Sequence, residues 1–196
     1  GILGLAAGRA AGRDFMDLVD DFITKPLGMR STTFVVTPEL EPRLSAGYAT
    51  RRTQGMAPGT EAPALEHAGR GYKVPNGGLY STVTDLGRFV AGMTGASPQA
   101  ILTEKSRLEM LTVQTPEDPK SGYGLGFSIE TLEDGRTLVG HGGSVAGYNA
   151  HLVFEPRSRT GVVLLRSYDG GRTNLGAVAR ALLRELTGDA ARLSDR

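Results

Sequence analysis

The sequence predicts an α+β fold, an antiparallel β-sheet flanked by helices, and three observations carry that expectation. Four strand-like runs, at residues 123–130, 136–141, 148–155 and 160–167, follow one another at hairpin distances. The turn-forming Glu133-Asp134-Gly135 and Pro156-Arg157-Ser158-Arg159 separate them, so they should pair as a meander. Segments with helical apolar spacing stand before and after this block, so helices should flank the sheet.

The chain has 196 residues, enough for one hydrophobic core and short for two, and is read as a single domain. Its 39% hydrophobic and 22% charged content fits a globular protein. Glycine occupies 28 positions, about twice the usual ~7% share, so many tight turns join short elements.

Taken in order, Ile2, Leu5, Ala6 and Ala10 recur at helical spacing, and Gly12 reads as the C-terminal cap. The apolar opening is too short for a signal peptide and reads as a helix entered partway, with Gly1 a cut, the alternative being a start from which an initiator Met was removed. Asp14 caps a second helix with the stripe Phe15, Leu18, Val19, Phe22 and Ile23, which Pro26 ends. From Thr32 to Tyr72 prolines and glycines predict extended and loop structure. Thr82-Val83-Thr84-Asp85 has the capping-box pattern, and Leu86, Phe89, Val90 and Met93 carry that helix to Gly95. Thr103 caps a short helix through Leu108 and Leu111.

Within the strands, Ala150, Leu152 and Phe154 fall on one face, and Asn149, His151 and Glu155 on a polar opposite face. Val162 to Leu165 is apolar on both faces, as in a central strand. The last helix should bury Leu175, Val178, Ala179, Leu182 and Leu186 and stop at Gly188.

Lys and Arg number 22 against 21 Asp and Glu, with no basic run longer than Arg51-Arg52, so the clustered field that nucleic acid requires is lacking. No apolar run approaches the ~20 residues of a membrane span. Cysteine is absent, which removes disulfides and thiolate chemistry. Three histidines, none four apart, argue against a zinc site. His67 stands in a loop, and His151 reads as structural.

The chemistry-bearing stretch is Gly140-His141-Gly142-Gly143-Ser144-Val145-Ala146-Gly147-Tyr148, a strand end with a histidine, a glycine pair and a serine. With Lys25-Pro26-Leu27-Gly28-Met29 and the run from Asn76-Gly77-Gly78 to Asp85-Leu86, it resembles the serine β-lactamase and penicillin-binding-protein-like hydrolases, related to class C β-lactamases. The likeness covers most of the chain and corresponds to the C-terminal portion of that family. It implies acyl transfer through a serine in a Ser-x-x-Lys unit, assisted by Tyr-x-Asn, with Lys/His-x-Gly on a facing strand. Here no serine has lysine three residues on and no tyrosine has asparagine two residues on, so only the third unit is present, as His141-Gly142-Gly143.

The resemblance gives His141 a substrate-positioning or proton-relay role and the Ser144 N–H the role of oxyanion donor. Gly142 and Gly143 would leave room for substrate, with Tyr72 and Asn76 lining the pocket. Imidazole titrates near ~6.5, so histidine in lysine's place grips an anion less firmly and favours ester, amide or D-amino-acid peptide substrates over strict β-lactamase action. No cofactor is implied. The partners implied are a small acyl substrate and the missing N-terminal segment, and the resemblance is compatible with a periplasmic or secreted setting. On its own the chain should be hydrolytically silent, the alternative being a non-catalytic binding or regulatory domain of the same fold. An α/β-hydrolase reading fails for want of a Gly-x-Ser-x-Gly elbow, and Asn76-Gly77-Gly78 lacks the lysine and glycine spacing of a phosphate loop.

Overall fold

Residues 1–49, 62–63, 74–145, 147–168 and 171–194 are described in the structure, a computed structural model. Helix α1 (Ile2–Ala11) ends where Gly12 turns left-handed, as expected. Its packed face is not the apolar one: Gly4 and Gly8 are buried, while Ile2, Leu3 and Leu5 are exposed. Gly4 lies against Pro75, and a side chain there would collide with the proline ring.

Asp14 caps α2 (Phe15–Val19) by accepting from the Met16 N–H at 2.7 Å. The chain then widens into a π-helical turn at Asp20–Thr24. The wider turn breaks the expected stripe: Phe22 is exposed, and Thr24, Leu27 and Met29 are buried instead. The short strands β1 (Tyr48–Ala49) and β2 (Ala62–Pro63) pair antiparallel within the irregular region.

Helix α3 (Val83–Thr94) starts where the Thr82 hydroxyl accepts from the Asp85 N–H at 3.2 Å, and Gly95 closes it in a left-handed conformation. The capping box is only half formed. The Asp85 carboxylate, 2% exposed, accepts instead from the Ser31 N–H at 2.7 Å and the Thr32 hydroxyl at 2.9 Å, with Arg88 at 2.6 Å. It therefore ties the loop after α2 to the first turn of α3. Thr103 caps α4 (Glu104–Met110), accepting from the Ser106 N–H at 3.1 Å, but Leu108 faces solvent.

Six strands form one antiparallel sheet in chain order: β3 (Thr115–Asp118), β4 (Ser121–Tyr123), β5 (Ser128–Thr131), β6 (Thr137–Val145), β7 (Tyr148–Glu155) and β8 (Thr160–Arg166). The meander is as expected, with four differences, the first being that the strand expected to end at His141 continues as β6 to Val145. The run expected as a strand over 123–130 is divided into β4 and β5 by a turn in which the Gly124 N–H donates to the Phe127 carbonyl at 2.8 Å. Strand β3 carries Pro116 and acidic residues on an exposed edge, so it has no apolar alternation to read. Strand β8 ends the sheet and is not central; it is apolar on both faces because α3 covers one and α5 (Leu175–Ser194) the other.

On the α3 side Val90, Met93, Phe127, Ile129, Val139 and Phe154 form a core, with the Phe127 and Phe154 rings edge-to-face at 5.8 Å. On the α5 side Leu138, Val153, Ala179 and Leu183 form a second. The β7 face expected to be polar is this covered face. Glu155, 2% exposed, turns back on the chain to accept from the Arg157 N–H at 3.1 Å and from the Ser158 N–H. Helix α5 is rotated from the expected stripe: Gly176, Ala179, Leu183 and Thr187 are buried, and Val178, Leu182 and Leu186 are exposed. Gly188 does not stop it, because the residue keeps a right-handed conformation and the helix runs on to Ser194.

Candidate active-site wall

Strand β6 has two unlike halves. Its pairing with β5 ends at Ser128↔Gly140, whereas its pairing with β7 continues from Val139↔Phe154 to Val145↔Tyr148. From His141 onward the strand therefore has a strand partner on one side only among the described residues. Leu138, Val139 and Gly140 are buried, and His141, Gly142, Gly143 and Ser144 are exposed. An open strand edge offers alternating N–H and C=O groups to an extended ligand.

Three elements frame this edge. The Tyr123 ring stands edge-on to the His141 imidazole with centroids 6.3 Å apart. The turn containing Asn76 reaches the far end of β6: Gly77 has φ +82°, and a methyl added there would come within 2.8 Å of Val145 Cγ2. Pro75 of the same turn packs on Gly4, which brings α1 to this wall. Beyond it, Gly147, with φ +81°, lets the backbone pass close to Gly47 and Tyr48. The Tyr148 hydroxyl donates to the Ser45 carbonyl, and burial raises its phenol pKa.

The two glycines of the motif have different surroundings. A methyl added at Gly143 would meet nothing within 4 Å among the described residues, so as far as these go a ligand can approach its backbone. At Gly142 the corresponding position lies 2.5 Å from His151 Nδ1, so this glycine accommodates an imidazole of the protein itself. His151 is half-buried, and burial, with the like charge of Arg180 and His141, lowers its pKa below the usual histidine value.

A concavity of about 750 Å³ starts at His141 and Gly142 and runs along the α5 side of β4 and β5, with Arg180 and Arg184 on its wall. Arg184 binds the Glu130 carboxylate at 2.5 Å and Arg180 approaches it at 3.8 Å, so both cations are already paired there. Gly143, Ser144 and Asn76 do not line it, so groove and open edge meet only at His141 and Gly142.

The structure thus brings His141, Gly142, Gly143 and Ser144 together on one strand edge and sets exposed Asn76 in the turn beside its end. Tyr72 and His67 lie outside the described residues. Neither Tyr123 nor the Gly77 contact with Val145 was anticipated, since each depends on the path between strands. His151 was foreseeable: counting back along the β6–β7 hairpin from Val145↔Tyr148 puts it opposite Gly142. No group of three or more His, Asp or Glu suited to a metal occurs among the described residues, and none of their helices is long and apolar enough to cross a membrane.

A protein-family model described as Beta-lactamase matches residues 1–185. The human protein named Putative beta-lactamase-like 1 is 30% identical over 170 residues, covering 82% of this chain and 30% of its own length. The D-alanyl-D-alanine-carboxypeptidase/endopeptidase AmpH of Escherichia coli K12 is 24% identical, covering 96% of this chain and 49% of its own. The octameric penicillin-binding protein homologue of Pyrococcus abyssi superposes with a TM-score of 0.74 at 24% identity, over 95% of this chain and 40% of that one, a likeness of fold. The chain spans less than half the length of the curated relatives it matches.

Proposed function

The chain belongs to the beta-lactamase family, and from that premise we propose that it is the C-terminal part of a serine hydrolase that works through an acyl-enzyme. One observation supports this most: the β6 edge from His141 to Ser144 is exposed and, among the described residues, has no strand partner on the β5 side and nothing within 4 Å above Gly143. In this reading a serine of the parent protein attacks the substrate carbonyl, forming a new C–O bond. The Ser144 N–H donates to the oxygen as it becomes negative, an interaction that strengthens only in the transition state. His141 positions the substrate or relays the proton that the leaving group takes up, and water then releases the acyl group.

The substrate class follows from two features. AmpH, a relative, is named for action on D-alanyl-D-alanine peptides. Histidine stands where a lysine would hold a carboxylate by full charge. Ester, amide or D-amino-acid peptide substrates therefore suit this wall better than a dedicated β-lactam grip.

Positioning groups without a nucleophile leave the transfer step undone, and no Ser-x-x-Lys or Tyr-x-Asn occurs in these 196 residues. The isolated chain is expected to show neither turnover of a p-nitrophenyl ester nor an acylated serine by mass spectrometry. A longer product of the same gene carrying Ser-x-x-Lys upstream should show both, with the adduct on that serine. Acylation and turnover by the 196 residues alone would overturn this. The second reading, a binding domain that keeps the wall without chemistry, is supported by the same missing motifs; coding DNA with a stop codon directly upstream would favour it.

A further inference from the structure

We propose that His151 is a positioning residue, whose ring fixes where β6 presents the backbone of Gly142, Gly143 and Ser144. The inference rests on the reading of Ser144 as an oxyanion donor, but its structural content stands on geometry alone.

His151 pairs in register with Gly142 on one side and Leu164 on the other. Its ring lies between two glycines from different elements. A methyl on Gly142 would come within 2.5 Å of Nδ1, and a methyl on Gly176 within 2.9 Å of Cε1 and 3.2 Å of Nδ1. Real side-chain carbons do not approach so closely, so the ring fills the space that these two residues leave by lacking Cβ atoms. Gly176 is buried in the first turn of α5, which Asn174 anchors by accepting from the Ala177 N–H at 3.0 Å. The imidazole is thus a spacer between an anchored helix start and a strand backbone.

The spacer matters here because β6 has lost its other lateral support. At Val139 and Gly140 the strand is held by β5 as well as β7, and from His141 onward, among the described residues, only by β7. Gly142 and Gly143 bring no side chains of their own to pack, and glycine is the residue that loses most freedom on ordering. A donor that must meet a developing oxyanion has to be held in place beforehand. The ring supplies that hold from the α5 side and leaves the space above Gly143 free. It makes no hydrogen bond among the described residues, so volume is what it contributes. Burial lowers its pKa and so disfavours the charged form, in agreement with that role.

The test is site-resolved amide hydrogen exchange on the chain as it stands, which needs no nucleophile. Replacing His151 with alanine removes the spacer and should raise exchange at Gly143 and Val145, the amides that face β7 when that of Ser144 faces the open edge, by about tenfold or more, while Leu138 and Val139 of the same strand keep their protection. His151→Phe keeps a ring in the gap and should restore exchange to within about threefold of the parent chain. Unchanged exchange in the alanine variant, or equal loosening by alanine and phenylalanine, overturns the proposal. Should His151→Ala fail to fold, Gly176→Ala presses the ring from the helix side and should shift the amide resonances of residues 142–144 but not those of β3 and β4. No shift there would likewise overturn it. A failed acyl-transfer reading would appear as the turnover result described above, independently of these amides.

Discussion

The two halves of β6 are nine residues of one strand put to opposite uses. From Thr137 to Gly140 the strand is paired with β5, at Val139 and Gly140 with β7 as well, and it carries Leu138 and Val139, 2% and 0% exposed, one into each core. From His141 to Ser144 it is exposed, glycine-rich and paired on one side. The difference teaches that buried support and candidate site are separated along the strand: the apolar half fixes the position of a polar half that is expected to contribute little to folding. Loss of the β5 partner at Gly140 makes the separation possible, because the chain before β5 turns away through Gly124 to Phe127 and leaves the edge open.

The sharpest way to break this comparison is to damage each half in turn. Phe154 is fully buried opposite Val139, and its replacement by alanine leaves a cavity that should lower unfolding free energy by about 3–5 kcal/mol. His141→Ala should stay within about 0.5 kcal/mol of the parent chain, since the imidazole is exposed and makes no hydrogen bond among the described residues. Urea denaturation of both variants checks the pair. A multi-kilocalorie loss for His141→Ala would make the open edge part of the fold's support and end the distinction.

How far the sequence revealed this arrangement depends on the range of the forces involved. Features decided within one turn were legible: the caps at Asp14, Thr82 and Thr103, the left-handed stops at Gly12 and Gly95, and the limits of β7. The motif His141-Gly142-Gly143-Ser144 was legible only in part: the sequence predicts a strand end at His141, whereas pairing with β7 carries the strand on to Val145. Features decided by what packs from far away were not. The face of α5 follows the close approach of Gly176 to His151 in preference to leucine content, so Leu183 is buried and Leu186 is not. Val162 to Leu165 looked central because two helices cover an edge strand, a property of the helices and not of the strand. Asp85 left its capping role because the loop at Ser31 and Thr32 came within reach.

A smaller effect should separate the adjacent glycines. Alanine at Gly142 meets the His151 ring and is expected to lower stability by about 1–3 kcal/mol, as overpacking does. Alanine at Gly143 meets nothing within 4 Å and should change stability by no more than about 0.5 kcal/mol. In a catalytically complete longer product, Gly143→Ala should nevertheless raise KM, because its methyl occupies the approach to the edge. Equal stability losses for the two variants would show that strand conformation, and not the His151 contact, decides what Gly142 tolerates.

The smallest expected effect is a pH dependence carried by His151. Burial lowers its pKa first, and Arg180 on α5 and His141 on β6 add like charge; its β8 neighbour, Leu164, offers no compensation. An unfolded chain takes up this proton near ~6.5, whereas the folded chain takes it up only at lower pH. Between those two values the unfolded state binds more protons, so stability rises with pH across the window. The contribution is complete above ~6.5 and is lost progressively as the solution is acidified toward the folded-state value. Urea midpoints at about pH 7 and about pH 5 should therefore fall further in the parent chain than in His151→Phe, which keeps the ring and cannot titrate. The difference between the two slopes isolates His151 from the carboxylates and the other histidines, which both chains share. Parallel slopes would mean that the imidazole reaches water freely, and the tight half of the comparison would then no longer extend through the β7 side of Gly142.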